Sequence, residues 1–196
     1  MKLAEKIYTT TGRKIELPEE TKAYNLGCGN QVFNGVIGID GRDRVGADII
    51  HDLDNIPWPI KDSSADVIFM FQTLEHLDNV VKIMEEIWRI SKNKAKIIIE
   101  TPYFRHEGAF QDPTHKHFFT SATMQYFCIT EKRDEGPYTK VKFKQVDFWY
   151  GWPAKSKNPI IRFFKKFIRN NPKLYDGLLS KIFPVKIIVY ELEAIK

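Results

Sequence analysis

The run Ala23-Tyr24-Asn25-Leu26 ends directly on Gly27-Cys28-Gly29, and a second β-branched run, Val36–Ile39, closes on Asp40. Glycine lets a strand turn sharply and lets backbone approach a ligand without a Cβ in the way. A strand, a Gly-x-Gly turn and an acid at the end of the next strand are the marks of a parallel sheet with a ligand at its carboxyl edge. Only residues 30–35 separate Gly29 from the second run, whereas a parallel crossover normally takes about a dozen residues or more. The early connections are therefore too short for the usual helices, and one sheet face needs another cover.

The rest of the chain keeps the α/β alternation. Strands are predicted at Ala23–Leu26, Val36–Asp40, Asp48–Asp52, Asp66–Phe71, Lys96–Glu100, Lys142–Tyr150 and Lys186–Ala194. Val80, Ile83, Met84, Ile87 and Ile90 recur at helical spacing over Asn79–Ser91, with Asp78 as the expected cap. A second helix is expected over Thr120–Ile129, capped by Thr120. Residues 1–21 read as a hairpin or an arm.

At 196 residues the chain is the length of one domain. We expect one domain over 1–196, with an insertion at about 151–185 between the last two strands. Cys28 and Cys128 lie far apart and no charged-then-apolar leader opens the chain, so a cytoplasmic protein with free thiols is expected. Lys and Arg interrupt every apolar stretch, which argues against a membrane span.

A nicotinamide or flavin dehydrogenase would need a third glycine, a full crossover helix and an acid about twenty residues on. Val32 stands at the glycine position and Asp40 comes too early. A cofactor without phosphates fits better, because the loop opens no normal helix whose N-terminus could hold a pyrophosphate.

The series Asn25-Leu26-Gly27-Cys28-Gly29, Gly38-Ile39-Asp40, Ala47-Asp48-Ile49-Ile50-His51-Asp52-Leu53, Pro57-Trp58-Pro59, Asp62-Ser63-Ser64-Ala65-Asp66-Val67-Ile68 and Leu74-Glu75-His76-Leu77 resembles the class I, S-adenosylmethionine-dependent methyltransferases of the type 11 group, over about residues 22–130. The resemblance implies a Rossmann-like sheet, mostly parallel with an antiparallel last strand, and S-adenosylmethionine as cofactor. It implies that the loop Asn25, Gly27, Cys28 and Gly29 holds the methionine end, Asp40 the ribose, Asp52 and Leu53 the adenine, with Phe71 and Gln72 beside the methionine portion. Asn25 stands where the family commonly has an acid, so its hydrogen bond would be neutral and weaker. A non-catalytic protein that keeps the cofactor fold as a binding module is the main rival.

Three of the five histidines fall in the stretch 102–120 after the fifth strand. Three readings stand there. His106, His115 or His117, with Asp112 nearby, can serve as general base toward an acceptor hydroxyl. Asp112, His115 and His117 can hold a divalent metal, although their spacing matches no strong zinc pattern and no metal site is assigned. Or Asp112 caps a turn before Pro113 and the histidines pair with backbone. Glu75 and His76 read as structural, fixing the entry to the helix, with a substrate-facing role for either left open. The acceptor expected is a small molecule or glycan-like.

Between Lys155 and Lys186 stand nine Lys or Arg and one acid, Asp176, among many Ile, Leu, Phe and Tyr. Ile160, Phe163, Phe164 and Phe167 share one face of a helix whose other face is basic. Three roles are open: cover for the sheet face left by the short crossovers, a homodimer contact, or a peripheral membrane dock through 160–183. The net charge of +5 is modest and no RNA-binding motif accompanies Trp149, Tyr150 and Trp152, so no nucleic acid is expected.

Overall fold

The computed structural model describes residues 5–8, 14–18, 20–43, 46–129, 138–151 and 158–196; Trp152 lies outside them. An antiparallel hairpin, β1 (Glu5–Tyr8) and β2 (Lys14–Leu17), opens the chain, which settles the reading of residues 1–21. Then come β3 (Ala23–Leu26), β4 (Val36–Asp40), β5 (Ile49–Ile50), β6 (Ala65–Phe71), α1 (Val80–Ile90), β7 (Ser91–Pro102), α2 (Gly108–Gln111), β8 (Lys142–Tyr150), α3 (Pro159–Asn170), α4 (Pro172–Gly177) and β9 (Ile187–Ile195). Short 3₁₀ turns lie at Leu74–His76, Thr123–Phe127 and Leu179–Lys181.

Strands β3 to β9 form one seven-stranded sheet in the order β5-β4-β3-β6-β7-β9-β8. All neighbours are parallel except β9, which runs antiparallel to both β7 and β8. This is the predicted α/β sheet with an antiparallel last strand. Connection direction reverses at β3: the chain moves one way to β4 and β5, then returns to place β6 on the other side. That switch point opens a crevice at the carboxyl edge.

Helix α1 follows its sequence pattern, burying Ile83, Met84, Ile87 and Ile90. Its cap is Asn79, whose Oδ1 accepts from Lys82 N at 3.1 Å, and not Asp78, which pairs with Lys116. The strand expected at Asp48–Asp52 shrinks to Ile49–Ile50, because Asp48 turns its carboxylate onto Gly38 N at 2.7 Å and Asp52 caps the next turn by accepting from Asp54 N at 3.0 Å. The expected helix at Thr120–Ile129 is only the 3₁₀ turn Thr123–Phe127. Thr120 does not cap a helix there: its hydroxyl and backbone N–H meet Thr123 and Ala122 inside the turn. Met124, Phe127 and Cys128 are nonetheless buried as expected.

The sheet carries two cores. One face packs α1, Leu53, Trp58, Met124 and Phe127, together with Ile168 of α3 and Tyr175 of α4. The other joins Ala23, Val36, Val67, Phe69, Phe71, Ile98 and Val189 to Ile15 and Leu17 of β2 and to Phe33. The face left open by the missing crossover helices is thus covered by the hairpin and Phe33, and not by the basic insertion. The insertion takes the α1 side because Ile168 and Tyr175 pack into that core and because Asp176 is anchored there. Asp176 accepts from Tyr103 OH at 2.8 Å, Tyr150 OH at 2.7 Å, and Ser121 N and Oγ at 3.0 and 2.7 Å. The one acid of the insertion clamps it to β7, β8 and the loop between them.

Anchored in this way, the insertion still shows a large apolar surface. Ile160 and Phe163 are 75 % and 72 % exposed, and Phe167, Leu174, Leu178, Ile182 and Phe183 are exposed too. No helix among the described residues is long and apolar enough to cross a membrane. Both cysteines are buried and neither is in a disulfide.

Candidate active site

The glycine loop is shaped by close packing. Gly27 has φ +69° and donates its N–H to Ile39 O at 2.8 Å. A Cβ on Gly27 would lie 2.3 Å from Thr73 Cγ2, far inside van der Waals contact. Gly29, with φ +52°, donates to Asp40 Oδ2 at 2.8 Å. The turn thus brings the end of β3 against the ends of β4 and β6, as the Gly-x-Gly spacing predicts.

A cavity of about 410 Å³ opens there, lined by Gly27, Asp40, Arg42, Gln72, Thr73, His76, Asp112 and Thr114. Small-molecule sites span about 300–1,000 Å³. Asp40 is 6 % exposed, and its Oδ1 accepts from Arg42 N at 3.0 Å and Arg42 Nε at 3.1 Å. Burial pushes its carboxyl upward, but the Arg42 side chain and the Gly29 and Arg42 N–H groups outweigh this and hold it below the ordinary carboxylate range. Asp40 is therefore a carboxylate engaged by Arg42, whose side chain is 59 % exposed. Gln72 holds φ +50°, a rare state for a non-glycine residue that needs support from its surroundings. Its N–H donates to Glu100 O at 2.8 Å.

The other predicted cofactor residues, Asn25, Cys28, Gly29, Asp52, Leu53 and Phe71, are not among the residues that line this cavity. Asn25 and Cys28 line a separate closed crevice with Gln31, Phe33 and Asp48. Asn25 Nδ2 donates to Gln31 O at 3.0 Å, which leaves Asn25 Oδ1 buried and without a donor. The side chain of Phe71 packs with Phe33 and Phe69 on the hairpin-covered face, so it has no side-chain place in the cavity. Leu53 is buried, its carbonyl accepting from Trp58 Nε1 at 2.9 Å, and Asp52 is exposed beside Gly41 at the end of β4.

The histidine stretch divides sharply. His106 Nδ1 accepts from Gly108 N at 3.0 Å and serves a turn. His117 Nε2 donates to Leu77 O at 2.9 Å, while the backbone N–H groups of Lys116 and His117 donate to Glu75 O at 2.7 and 3.3 Å. These bonds stitch the loop onto the 3₁₀ turn after β6. Asp112 Oδ1 accepts from Thr114 N and Oγ1, at 2.9 and 2.6 Å, in the turn expected before Pro113. His115 stands edge-on to His76, ring centroids 4.6 Å apart.

The grouping Asp112, His115 and His117 does not form. Glu75, His76 and His115 come together instead, because the turn that caps β6 faces the cavity rather than only leading into α1. Sequence reasoning took Glu75 and His76 as structural and passed over Arg42, Thr73 and Thr114. The available signal was the position of Glu75-His76 immediately after a strand end at the ligand edge. Glu75 is 1 % exposed. Burial above all, with Glu100 and Asp112 adding negative charge nearby, pushes its carboxyl up to about 8, and no N–H group lies in hydrogen-bond geometry to either oxygen. Burial and the neighbouring His115 lower the His76 imidazole, which favours its neutral form.

Residues 42–99 match a family model described as a methyltransferase domain. No curated protein sequence matches the chain. Among solved structures, an S-adenosylmethionine-dependent methyltransferase from Archaeoglobus fulgidus is similar with a TM-score of 0.53 and 16 % identity, over 89 % of this chain and 87 % of that one. Another from Mesorhizobium loti gives a TM-score of 0.56 and 13 % identity, over 90 % and 93 %. The [4+2]-cyclase SpnF gives 0.56 and 12 %, over 91 % and 76 %. At these identities the structures establish the fold. The family model falls on the segment that runs from Arg42 at the cavity through Gln72, Thr73 and His76 to β7. The chain thus has the fold of these S-adenosylmethionine-dependent methyltransferase structures, and its residues 42–99 are similar to a methyltransferase domain.

Proposed function

We propose that the protein transfers a methyl group from S-adenosylmethionine to a hydroxyl of a small-molecule or glycan-like acceptor. The carrying observation is the single cavity that joins Gly27, Asp40 and Gln72 to His76, Asp112 and Thr114, one half suited to the cofactor and the other to an acceptor. The Gly27 position is too tight for a Cβ, and Gly27 itself lines the cavity.

Gly27, with Asn25 behind the loop, would hold the methionine end, Asp40 would take the ribose diol in place of Arg42, and Asp52 with Leu53 would flank the adenine. When bound, S-adenosylmethionine would supply a sulfonium methyl to the acceptor oxygen, leaving the S–CH₃ electron pair on sulfur, and the hydroxyl proton would pass to water at the cavity mouth. In such a displacement the protein mainly positions the acceptor and excludes water. The bond from the 112–117 loop to Glu75 O fixes the acceptor half against the cofactor half. His106 and His117, committed to backbone, take no chemical part. Titration calorimetry with S-adenosylmethionine tests the reading: micromolar binding is expected, weakened at least tenfold by Asp40→Ala. No binding at millimolar cofactor would leave only a binding fold, and preference for a reduced nicotinamide would make it an oxidoreductase.

The α3–α4 insertion serves as a dock for an anionic membrane surface. The support is its exposed apolar row on a segment that also carries Arg162, Lys165, Lys166, Arg169, Lys173 and Lys181, and one acid that is fully engaged internally. Co-sedimentation is expected to be stronger with anionic than with neutral vesicles and to fall in Phe163→Ser. Equal recovery with both, or a concentration-dependent dimer that Phe163→Ser dissolves, overturns it.

A further inference from the structure

One ligating atom from each of Glu75, His76 and His115 lies within 4.8 Å of the others. We propose that these three residues bind one divalent cation of zinc or cobalt type through a Glu75 oxygen and two imidazole Nε2 atoms. A remaining position opens to the cavity, where an acceptor hydroxyl can bind.

The hydrogen bonds decide which ring nitrogens are free. Thr114 Oγ1 gives its single proton to Asp112 Oδ1 at 2.6 Å, so its contact of 2.8 Å with His76 Nδ1 must be one in which the imidazole donates. His115 Nδ1 lies 3.0 Å from Ala109 O, and a carbonyl can only accept. Both rings therefore keep the proton on Nδ1 and offer an Nε2 lone pair. Metal-binding histidines are commonly held in this way, by a carboxylate-backed partner or a backbone carbonyl. Two imidazoles, one carboxylate and an open position also form the donor set of many catalytic zinc sites.

Glu75 supplies an independent observation. Its side chain is 1 % exposed and neither carboxylate oxygen has a hydrogen-bond partner. Such burial is costly unless a donor or cation meets the group. Zinc bonds of about 2.0–2.2 Å put neighbouring donors of a tetrahedron about 3.3–3.6 Å apart, so the cluster needs only a small contraction that side-chain torsions supply. A hydroxyl on the cation is acidified by it, which provides activation without a separate general base. This use of the cation rests on the proposed methyl transfer. Binding of the cation does not, and the test is made without cofactor.

Chelator-treated full-length protein is titrated with Zn²⁺ or Co²⁺ alone by calorimetry, and the Co²⁺ form is examined by visible absorption. One equivalent is expected, with d–d bands of low-coordinate nitrogen and oxygen ligation and no thiolate charge-transfer band. Glu75→Gln and His115→Ala should each weaken binding at least tenfold, and Thr114→Val, which removes only the support of His76, about 10–100-fold. His106→Ala should leave the titration unchanged. Circular dichroism of each variant confirms the fold, and the near-isosteric Glu75→Gln keeps the comparison valid if His115→Ala unfolds. No uptake, uptake that Glu75→Gln and Thr114→Val retain in full, or a thiolate band overturns the site. S-Adenosylmethionine titrations of the same samples show separately whether the cofactor reading stands.

Discussion

Replacing Asp176 by alanine should cost the protein about 3–5 kcal/mol. The carboxylate accepts from the hydroxyls of Tyr103, Tyr150 and Ser121 and from Ser121 N. Tyr103 is fully buried and Tyr150 nearly so. Truncation leaves their hydroxyls without the acceptor they face, at about 1–3 kcal/mol for each unsatisfied buried group. Release of the partly buried carboxylate itself offsets some of this, which sets the total below the simple sum. In a chain of this size about 4 kcal/mol lowers the melting temperature by about 8–16 °C. Urea unfolding followed by tryptophan fluorescence measures the change. Tyr103→Phe and Tyr150→Phe should each cost less than Asp176→Ala, and their effects should be non-additive with it because all three share one network. A loss below about 1 kcal/mol for Asp176→Ala, or strict additivity, would refute the clamp. Because Asp176 ties the insertion to Tyr103 and Ser121 at the two ends of the histidine stretch, the same variant should weaken Co²⁺ uptake more than S-adenosylmethionine binding.

Gly27→Ala should lower both stability and cofactor affinity: the Cβ meets Thr73 and the positive φ adds about 1 kcal/mol. Calorimetric binding together with thermal melts checks this, and wild-type values for both would refute it. Glu86, 7 % exposed at its side chain, accepts from Trp58 N at 2.6 Å and from Arg89, so Glu86→Ala should cost about 1–3 kcal/mol by leaving Trp58 N without its acceptor and loosening the Leu53–Trp58 turn, while Arg89 keeps Asp62 and the Ile60 and Trp58 carbonyls; denaturant unfolding reads it. Asp40 has a folded-state carboxyl below the ordinary range. Its contribution is thus fully present above the unfolded value and is lost as pH falls through the folded one. Stability measured from pH 6 down to about 2 should therefore fall less steeply in Asp40→Asn than in wild type at the acid end, and parallel curves would show that Asp40 makes no such contribution.

Local pattern was enough for the elements whose signals are local. The β3 turn reads from Gly27 and Gly29 because only glycine holds a positive φ there without strain, and α1 reads from apolar spacing because burial on one face is periodic. The sheet's mostly parallel character and the brevity of its early crossovers follow from the order and spacing of the apolar runs, whereas its antiparallel last strand was implied by the family resemblance. Sequence could not say which residue caps α1, since Asp78 and Asn79 are both good caps and a distant Lys116 takes the first. Nor could it say what covers the second sheet face: Ile15, Leu17 and Phe33 reach it from separate parts of the chain, while Ile168, Tyr175 and Asp176 commit the insertion to the opposite side. The cavity's chemistry was the least legible. Glu75 and His76 stand about forty positions from His115, and hydrogen bonds from Thr114 and Ala109 decide which imidazole nitrogens are free. Sequence determined the sheet and the glycine turn, because propensity and periodicity act over a few residues; the meeting of Glu75, His76 and His115 was decided by tertiary structure, because only the docking of the 112–117 loop on the turn after β6 brings them within reach.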